Sequence, residues 1–474
     1  MIKTKIIATL GPSSNQAGTI KSLIDNGVDV FRLNFSHGTL DEHAELLDAV
    51  NLARSEQYNM TAVIGDLCGP KIRTGQIEPE GQMLSAGDEV IIAAGEETGT
   101  AKRFGTNYER FTEDVNTGER VFIDDGQIAL EVTGQKDNET ICRVIVGGTL
   151  RSRKGINLPD SKLSSPSITE RDWKCVDWAI EKELDFLALS FVRSSDEIKE
   201  LRDYLSKAGV DIKIIAKIET PQGLEHLEEI VRASDAVLVA RGDLGVEMEL
   251  AEVPLIQKRI TQMCRDLGRP VVVATQMLQS MIEKPTATRA EVSDVANAIM
   301  DFTDAVMLSG ETAVGKYPLE AVQTIQRIAR VTESYLEENV NVHPKSATVD
   351  ELVQTASMAR SVGQIVDDIG AKLVAVWSQG GSSARLLSKA RIDAAVLALS
   401  SEERSCHQMC LHYGVLPRCR PIPENIEQFT HLVEEMIISD NLAQVGDKIV
   451  LLAGQPLGAA GTTNAIIVHN VTAG

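Results

Sequence analysis

The sequence predicts an α/β protein built on a (β/α)8 TIM barrel, with an inserted all-β lid domain after strand 3 and a C-terminal α/β domain. Three observations predict it: eight short β-branched runs alternate with amphipathic segments, one long stretch lacks helical periodicity, and a second αβ series ends the chain. Parallel strands buried on both faces lose polar alternation, so nearly continuous apolar runs favour a barrel. A doubly wound sheet is the competing architecture.

The predicted barrel strands are short apolar runs that end at Gly, Pro or Asp breaks. They are Thr4–Leu10, Val28–Phe35, Thr61–Leu67, Asp185–Phe191, Ile212–Ile218, Ala236–Ala240, Pro270–Ala274 and Ala305–Leu308. Segments with apolar residues three and four apart lie between them and predict helices. These are residues 16–26, 40–56, 196–207, 224–233, 253–266 and 291–301. The barrel is therefore predicted at residues 1–69 and 155–340.

Between Pro70 and Lys154 the helical pattern stops and Gly-rich turns separate short β-prone runs. The runs are residues 89–93, 120–123, 128–132 and 140–146. They predict a β-rich lid domain at residues 70–154, inserted in the third strand-to-helix loop. Barrel enzymes carry their active sites at the face where such loops emerge, so the insert is placed to close over that face.

An acidic, Pro-containing linker near residues 337–350 precedes another alternation of strands and helices. The predicted elements are residues 352–368, 373–377, 383–390, 395–399, 405–411, 426–437, 448–452 and 466–468. They indicate a separate C-terminal α/β domain at residues 341–474, with a mostly parallel sheet.

Composition restricts the partners and the compartment. The 474-residue chain carries 68 Asp and Glu against 47 Lys and Arg, a formal charge of −21. This balance argues against nucleic acid and anionic membranes as partners, because both attract clustered positive charge. Scattered cysteines without a Cys-x-x-Cys motif predict reduced thiols and a cytoplasmic protein. Cys406 and Cys410 flank His407, with His412 nearby, so a metal site competes with buried thiols on a helix stripe.

Polar residues follow the same end of each predicted barrel strand, and in a barrel these ends converge on one mouth. Any one of them alone fits an ordinary solvated loop, but six strands share the feature. The residues are Arg32, Asn34, Ser36 and His37 at the end of strand two, Asp66 at the end of strand three, Lys217 and Glu219 at the end of strand five, Arg241, Gly242 and Asp243 at the end of strand six, Thr275 and Gln276 at the end of strand seven, and Ser309 and Glu311 at the end of strand eight.

These residue types indicate a chemistry. Glu219 and Asp243 offer hard carboxylate oxygens, which suit Mg²⁺ or Mn²⁺ better than Zn²⁺. Lys217 could be a Schiff-base nucleophile or a clamp for a phosphoryl group. The carboxylate two residues away favours the clamp, because a nearby anion keeps the amine protonated and non-nucleophilic. Together with the cations Arg32, Arg73 and Lys154, this set predicts magnesium-dependent phosphoryl transfer.

Several motifs at these positions resemble the pyruvate kinase family. They are Lys5–Ser14, Arg32–Gly38, Asp66–Thr74, Ile215–Glu219, Val239–Glu247, Ala274–Leu278 and Met307–Thr312. The resemblance extends in the same order into the C-terminal domain, and the lysine-centred Ile215-Ala-Lys-Ile-Glu219 segment is highly specific. It implies transfer of the phosphoryl group of phosphoenolpyruvate to ADP, giving pyruvate and ATP.

The resemblance also implies a role for each matching residue. Lys217 and Arg32 should contact the transferring phosphoryl group, and Glu219 and Asp243 should hold the divalent ion. The remaining roles are Gly242, Asp243 and Thr275 for the substrate carboxylate, Asn34, His37, Arg73 and Lys154 for nucleotide, and Thr275, Ser309 and Glu311 for the proton route to the enolate.

One departure from the family concerns its monovalent cation. Members that require K⁺ place it among residues matching Asn34, Ser36, Asp66 and the carbonyl of the next residue, usually threonine but here Leu67. They carry a glutamate where this chain has Lys71. An ammonium at Lys71 would supply the positive charge and repel a second cation. We therefore expect an enzyme that does not require K⁺.

The segment Ser378-Gln-Gly-Gly-Ser-Ser383 lies between a predicted strand and helix, a shape suited to phosphate. By itself it is equally well an ordinary Gly-rich turn. It resembles the family's effector loop, with Ser378, Gly380, Gly381, Ser382 and Ser383 as candidate contacts and residues 461–464 as a second wall. The resemblance implies a homotetramer activated by a phosphorylated small molecule, with AMP or a sugar monophosphate favoured.

Two other functions are compatible with parts of the pattern. A magnesium-dependent, enolate-forming aldolase or lyase also uses a barrel with a carboxylate-held metal, but it needs no nucleotide lid. A non-catalytic sugar-phosphate sensor would tolerate the loss of Lys217 or Glu219, and both are present.

Overall fold

The computed structural model describes residues 2–55, 60–95, 98–339, 352–459 and 462–472. The chain opens with three strand units, and every residue of the first and third strands is buried. The elements are β1 (Lys5–Thr9), α1 (Ala17–Asp25), β2 (Val30–Asn34), α2 (Leu40–Ser55) and β3 (Ala62–Asp66).

After β3 the chain leaves the barrel and forms a β-rich unit with its own apolar core around Phe104 and Phe111. Its elements are β4 (Gln82–Leu84), β5 (Glu89–Ala94), β6 (Arg103–Thr106), α3 (Phe111–Asp114), β7 (Arg120–Ile123), β8 (Ile128–Lys136), β9 (Glu139–Val146), β10 (Gly148–Leu150) and β11 (Ile156–Asn157). Six strands form one sheet in the order β11-β7-β8-β9-β5-β6, and β10 pairs with β4. The four predicted strands are present as β5, β7, β8 and β9. Strands β4, β6, β10 and β11 were not predicted, and each is only two to four residues long.

The chain then returns to the barrel and completes five more strands. The elements are α4 (Glu170–Glu181), β12 (Phe186–Leu189), α5 (Ser195–Lys207), β13 (Lys213–Ile218), α6 (Pro221–Glu225), α7 (Leu227–Ala233), β14 (Ala236–Ala240), α8 (Arg241–Glu247), α9 (Val253–Asp266), β15 (Val271–Ala274), α10 (Arg289–Met300), β16 (Ala305–Leu308), α11 (Gly310–Ala313) and α12 (Pro318–Asn339). Thr169 and Thr288 begin α4 and α10 as capping boxes, each accepting a backbone N–H from the third residue of its helix.

The eight strands close into one parallel barrel in the order β1-β16-β15-β14-β13-β12-β3-β2. This confirms the (β/α)8 prediction and excludes the doubly wound sheet. Inward-facing side chains such as Ile7, Ile64, Ile215 and Leu238 fill the interior, while the alternate positions pack against the surrounding helices. The carboxyl ends of all eight strands therefore open on one face, which we call the mouth, and their amino ends form the opposite face, the floor.

The C-terminal part is a second α/β unit. Its elements are α13 (Val353–Ile369), β17 (Leu373–Trp377), α14 (Ser382–Lys389), β18 (Ala395–Ser400), α15 (Glu403–Met409), β19 (Val415–Cys419), α16 (Ile426–Ser439), β20 (Lys448–Gly454) and β21 (Thr463–Asn470). The sheet order is β19-β18-β17-β20-β21, and only the β20 to β21 pair is antiparallel. The predicted mostly parallel sheet is confirmed.

The predicted linker is too early by a few residues, because α12 continues through Asn339. Residues 340–351, which contain the rest of that linker and the predicted domain boundary at residue 341, lie outside the described residues. The three domain ranges therefore stay predictions. No helix in the described ranges is long and apolar enough to cross a membrane.

The C-terminal unit packs against the floor of the barrel. Lys5 Nζ donates to Val415 O at 2.9 Å, and His407 Nδ1 lies 3.2 Å from Asp185 Oδ1. Gln408 Nε2 donates to Asp211 O at 2.7 Å. Because these contacts lie at the amino ends of the strands, the mouth stays open to the β-rich insert.

Candidate active site

Lys217 stands near the end of β13 in a ring of acceptors at the mouth. Its Nζ lies 2.6 Å from Ser190 Oγ, 3.1 Å from Glu219 Oε1 and 3.3 Å from Asp66 Oδ1. Burial alone would lower the pKa of this ammonium, but the carboxylates of Asp66 and Glu219 outweigh burial and raise it. Lys217 is therefore a permanent cation, which suits a phosphoryl clamp and not a Schiff-base nucleophile.

Asp66, at the end of β3, connects Lys217 to a second cation. Arg32 Nε on β2 donates to Asp66 Oδ2 at 2.6 Å, and Arg32 Nη1 donates to Thr9 Oγ1 at 3.1 Å. Burial would raise the pKa of Asp66, yet Lys217 and Arg32 together lower it. One fully buried carboxylate thus fixes two cations from different strands side by side, as the binding of a polyanion requires.

Glu219 and Asp243 form the acidic side of the mouth. Glu219 is 1% exposed, and its Oε2 accepts the backbone N–H of Phe191 at 2.7 Å. Burial raises its pKa, Lys217 opposes this, and Asp243, in the first turn of α8, raises it further. Two carboxylates in mutual repulsion with only oxygen donors fit a hard divalent cation, which takes one or two protein carboxylates and completes its shell with substrate and water.

The turn that begins α8 is locked to the end of β15. Gly242 N donates to Thr275 Oγ1 at 2.7 Å, and Arg241 Nη2 donates to Thr275 O at 2.8 Å. Arg241 Nη1 also donates to Asp294 Oδ1 at 2.7 Å. Thr275 and Gln276 both have left-handed backbones, at φ +68° and +55°. Such strain persists only where the surroundings hold it, and it concentrates at functional sites.

Glu311 is buried after β16, and backbone groups occupy both of its oxygens. Oε1 accepts from Leu278 N at 2.9 Å and Oε2 accepts from Ser309 N at 2.8 Å. These bonds hold the loops after β15 and β16 together. The arrangement positions Ser309 and the segment that follows Thr275.

A cavity of about 570 Å³ lies beside the mouth, and Asn34 and His37 both line it, together with Pro12 and Glu42. Burial first, and then Arg73, Arg32 and Lys71, lower the pKa of His37. The imidazole is therefore neutral and faces a positive field. This volume is in the range of ordinary small-ligand pockets.

The two predicted nucleotide cations of the insert do not line this cavity. Arg73 Nη1 donates to Arg153 O at 3.3 Å, and Lys154 Nζ pairs with Asp124 Oδ1 at 2.9 Å. Arg73 nevertheless lies close enough to lower the pKa of His37.

Some of the residues predicted around a monovalent cation make contacts near the mouth. Ser36 N donates to Asn34 Oδ1 at 3.2 Å, and the Leu67 carbonyl accepts Ser190 Oγ at 2.7 Å. Lys71 lies on the insert side of the mouth, close to Gly155. A Cβ added to Gly155 would lie 3.6 Å from the Cε of Lys71. Lys71 also contributes to the lowered pKa of His37, so its ammonium acts on the same side of the mouth.

Two residues of the mouth were missed from sequence. Ser190 links Lys217 to the Leu67 carbonyl, and its place at the end of β12 is the signal that could have identified it. Glu247 Oε1 accepts from Asn157 Nδ2 at 2.7 Å, and burial raises its pKa to about 7, with Asp243 and Glu219 adding to the shift. It lies four residues after Asp243, one helical turn further along α8.

The loop between β17 and α14 has the geometry of a helix-capping Gly turn. Gly381 has φ +79°, and Ala384 N donates to Ser378 Oγ at 3.2 Å. Ser383 Oγ lies 2.7 Å from Thr463 Oγ1, which brings the two predicted effector walls into contact. Gly461 lies outside the described residues.

The alternative metal site at the C-terminal cysteines does not form. All seven cysteines are free, and Cys406 and Cys410 are buried. In the part of the chain that the structure describes, no three His, Cys, Asp or Glu side chains are arranged to hold a metal. Both thiols are core residues on the buried side of the helix. Their burial raises their pKa and keeps them protonated.

The fold and the mouth define a barrel enzyme whose paired cations and paired carboxylates fit phosphoryl transfer with a divalent ion. Family models for the pyruvate kinase barrel domain and the pyruvate kinase alpha/beta domain match residues 1–322 and 356–469. The pyruvate kinase of Mycobacterium tuberculosis strain H37Rv is 38% identical over 469 residues, 98% of each chain. That of Thermococcus litoralis is 37% identical over 473 residues, 99% of this chain and 98% of the relative. The chain belongs to the pyruvate kinase family.

Proposed function

We propose that this chain transfers the phosphoryl group of phosphoenolpyruvate to ADP, giving pyruvate and ATP, with Mg²⁺ or Mn²⁺ bound at Glu219 and Asp243. The observation that carries the proposal is the Lys217 ammonium, held between Asp66 and Glu219 beside Arg32. A divalent ion at the two carboxylates would supply positive charge to the phosphoryl and enolate oxygens.

Each neighbouring group has a proposed task. Lys217 and Arg32 neutralise the transferring phosphoryl group, since both are fixed cations with little freedom to reorganise. The substrate carboxylate sits at the Gly242–Asp243 turn and Thr275, where a backbone N–H and a hydroxyl already lie 2.7 Å apart.

Protonation of the enolate carbon involves Thr275, which contacts the α8 turn, and Ser309, which Glu311 holds next to the loop after β15. The contacts of Glu311 favour a positioning role for this carboxylate, because both of its oxygens accept backbone N–H groups. A water molecule held by the hydroxyls of Thr275 and Ser309 would deliver the proton.

Nucleotide occupies the 570 Å³ cavity at Asn34 and His37, with Arg73 and Lys154 closing from the insert. The neutral imidazole of His37 is suited to hydrogen bonding there. Lys154 would exchange its partner Asp124 for phosphate when the insert closes.

We further propose that K⁺ is not required, because Lys71 brings a fixed cation to the side of the mouth formed by Asn34, Ser36, Asp66 and Leu67. The effect of Lys71 on the pKa of His37 supports this placement. We also propose that AMP or a sugar monophosphate activates the enzyme by binding at Ser378 and Gly380–Ser383. The protein is proposed to be a cytoplasmic homotetramer. The contact of Ser383 with Thr463 supports a composite effector site.

The deciding experiment measures ATP formed from phosphoenolpyruvate and ADP, with and without Mg²⁺, using tetramethylammonium as the only monovalent cation. We expect magnesium-dependent activity that KCl changes little. No ATP, combined with magnesium-dependent release of pyruvate from a 4-hydroxy-2-oxo acid, would favour the aldolase or lyase alternative. Binding of sugar phosphate without either reaction would favour the sensor.

A further inference from the structure

A second cavity, of about 140 Å³, lies at the floor between the barrel and the C-terminal unit. Lys213, Asp235 and Arg269 line it from the barrel side, and Gly381, Arg385 and His412 line it from the C-terminal side. A cavity of about 150 Å³ accommodates a molecule the size of benzene, so this one admits a small ligand or one group of a larger ligand. Ser383 and Thr463 do not line it.

The lining carries more positive than negative charge, with Lys213, Arg269 and Arg385 against Asp235. Lys213 Nζ also pairs with the exposed Asp211, at 2.6 Å from its Oδ1. The one carboxylate, Asp235, is already committed, since its Oδ2 accepts from Arg202 Nη2 and from Ile214 N, each at 2.9 Å. Arg385 donates to the Gly268 carbonyl and forms no ion pair with a carboxylate of the described residues. Burial, reinforced by Arg269 and only partly offset by Asp235, lowers the pKa of Arg385 to about 10. A buried guanidinium without a counter-ion is costly.

His412 supplies an independent observation. It is only 8% exposed, and its Nδ1 has no hydrogen-bond partner. Burial, with Arg385, Lys389, Lys5 and Lys213 around it, lowers the pKa of the ring well below its usual value. A buried polar atom without a partner is destabilising, so the site is incomplete as it stands. An anionic oxygen would accept from an Nδ1–H and relieve the repulsion at once.

The start of α14 adds backbone donors. Gly380, Gly381 and Ser382 line the cavity immediately before and at the start of this eight-residue helix. The first N–H groups of a helix lack intrahelical partners, and their dipole favours an anion.

We propose that this floor cavity binds a phosphate group, either inorganic phosphate or the phosphate of a small monoester, through Arg269, Arg385, Lys213 and His412. The site shares Gly380, Gly381 and Ser382 with the effector site proposed above, but it lacks Ser378, Ser383 and Thr463 and takes its other contacts from the side of the loop that faces the barrel. The ligand would join both units, with two cations contributed by each side if His412 becomes protonated on binding.

The test is calorimetric titration of the full chain with inorganic phosphate, and separately with glycerol phosphate, against chloride at equal ionic strength. The mouth and the proposed effector site are expected to bind phosphate too, so variants separate the three sites. Ser383→Asp, at a residue that does not line the floor cavity, should lose the effector site and keep the floor site. Lys217→Gln should keep the floor site and lose the mouth site. Arg385→Gln should weaken the floor site at least tenfold, as should Arg269→Gln, which is the second variant if the first fails to fold. Lys199→Gln, an exposed lysine on α5, is the matched control.

A readout on His412 distinguishes binding from a general charge effect. With ¹⁵N-labelled histidine, phosphate should shift the imidazole resonance that is missing in His412→Gln, and should do so in the Lys217→Gln background. Monoester binding without inorganic phosphate binding would assign the site to the ester. Phosphate binding that disappears entirely in Lys217→Gln, or persists unchanged in both arginine variants, would overturn the proposal. None of these measurements depends on catalysis.

Discussion

The mouth and the floor of the barrel bury ionisable groups at opposite ends of the same strands, but with opposite imbalance. At the mouth, Lys217 contacts two carboxylates and its pKa is raised. At the floor, Lys389 contacts one, Asp304, which it shares with Arg391 at 3.2 Å. Burial lowers the pKa of Lys389 to about 8, and Arg391 adds to the effect. Burial disfavours the charged lysine at both ends, and only at the mouth do the surrounding carboxylates outweigh it and reverse the direction.

The surplus groups at each end lack enough opposite charge to offset burial, so burial shifts their pKa values towards the neutral form. The mouth has surplus carboxylates, and the pKa values of Glu219 and Glu247 are raised. The floor has surplus cations, and the pKa values of Arg385 and Lys389 are lowered. A site with unbalanced buried charge is complete only when a ligand of the other sign binds. The mouth is therefore suited to a divalent cation, and the floor to an anion.

The largest expected effect comes from removing the mouth's central cation. Lys217→Gln should reduce kcat/KM at least ~10³-fold, because the transferring phosphoryl group loses a preorganised charge inside a buried site. Steady-state assay of ATP formation measures it, with Lys199→Gln as the control for a lost lysine. A loss below tenfold would remove Lys217 from the catalytic centre.

The matching change at the floor removes its shared carboxylate. Asp304→Asn should destabilise the protein by about 3 kcal/mol, since breaking a buried pair leaves Lys389 and Arg391 uncompensated. Asp304 Oδ2 also accepts Val271 N at 2.7 Å, a contact that the amide oxygen of Asn can keep. Urea unfolding measures the change. Asp393→Asn, which removes an exposed partner of Lys3, should cost less than about 1 kcal/mol; equal losses would contradict the distinction.

A smaller effect is expected when the mouth gains a carboxylate. Lys71→Glu exchanges a cation for an anion on the side of the mouth where Lys71 acts on His37, and under the proposal above it should create a K⁺ requirement. We expect about tenfold stimulation by KCl over tetramethylammonium chloride, equivalent to about 1.4 kcal/mol. Lys71→Gln separates loss of the cation from gain of the acid. A variant indifferent to KCl, or a parent chain that already needs it, would refute the assignment of Lys71.

The contrast between the two ends also explains what the sequence could predict. The mouth residues could be found because each one lies at or just after the carboxyl end of an apolar strand, and barrel geometry brings those strand ends together. Ser190 obeys the same rule but is a single serine without a charged neighbour. The floor follows no local rule: Lys389 and Asp304 are 85 positions apart in sequence, and their contact depends on how the C-terminal unit docks.

Helices and strands could be predicted where the pattern of apolar residues was long and periodic. Strand β19 was missed because Pro417 interrupts its apolar run, and Pro is expected only at sheet edges. In the sheet order β19 is an edge strand, where that rule is satisfied. Charge balance was equally hidden, because it depends on distances between side chains that no spacing in the chain reveals.

The smallest predicted effect concerns Glu247, one of the surplus carboxylates at the mouth. The pKa of Glu247 is raised from 4.5 to about 7, so between these values the folded metal-free protein binds a proton that the unfolded chain has lost. The free energy of unfolding should therefore decrease as pH rises from about 4.5 to about 7, and remain reduced above pH 7.

Glu247→Gln keeps the acceptor for Asn157 Nδ2 and removes this pH dependence. The full shift corresponds to about 3 kcal/mol, and we expect the variant to gain at least about 1 kcal/mol of this over the parent at pH 8 and nothing at pH 4.5, measured by urea unfolding in EDTA. Added Mg²⁺ should reduce the gain, because a cation beside Asp243 and Glu219 favours the ionised acid. A gain that is the same at both pH values would show that Glu247 is not held protonated by the surrounding carboxylates.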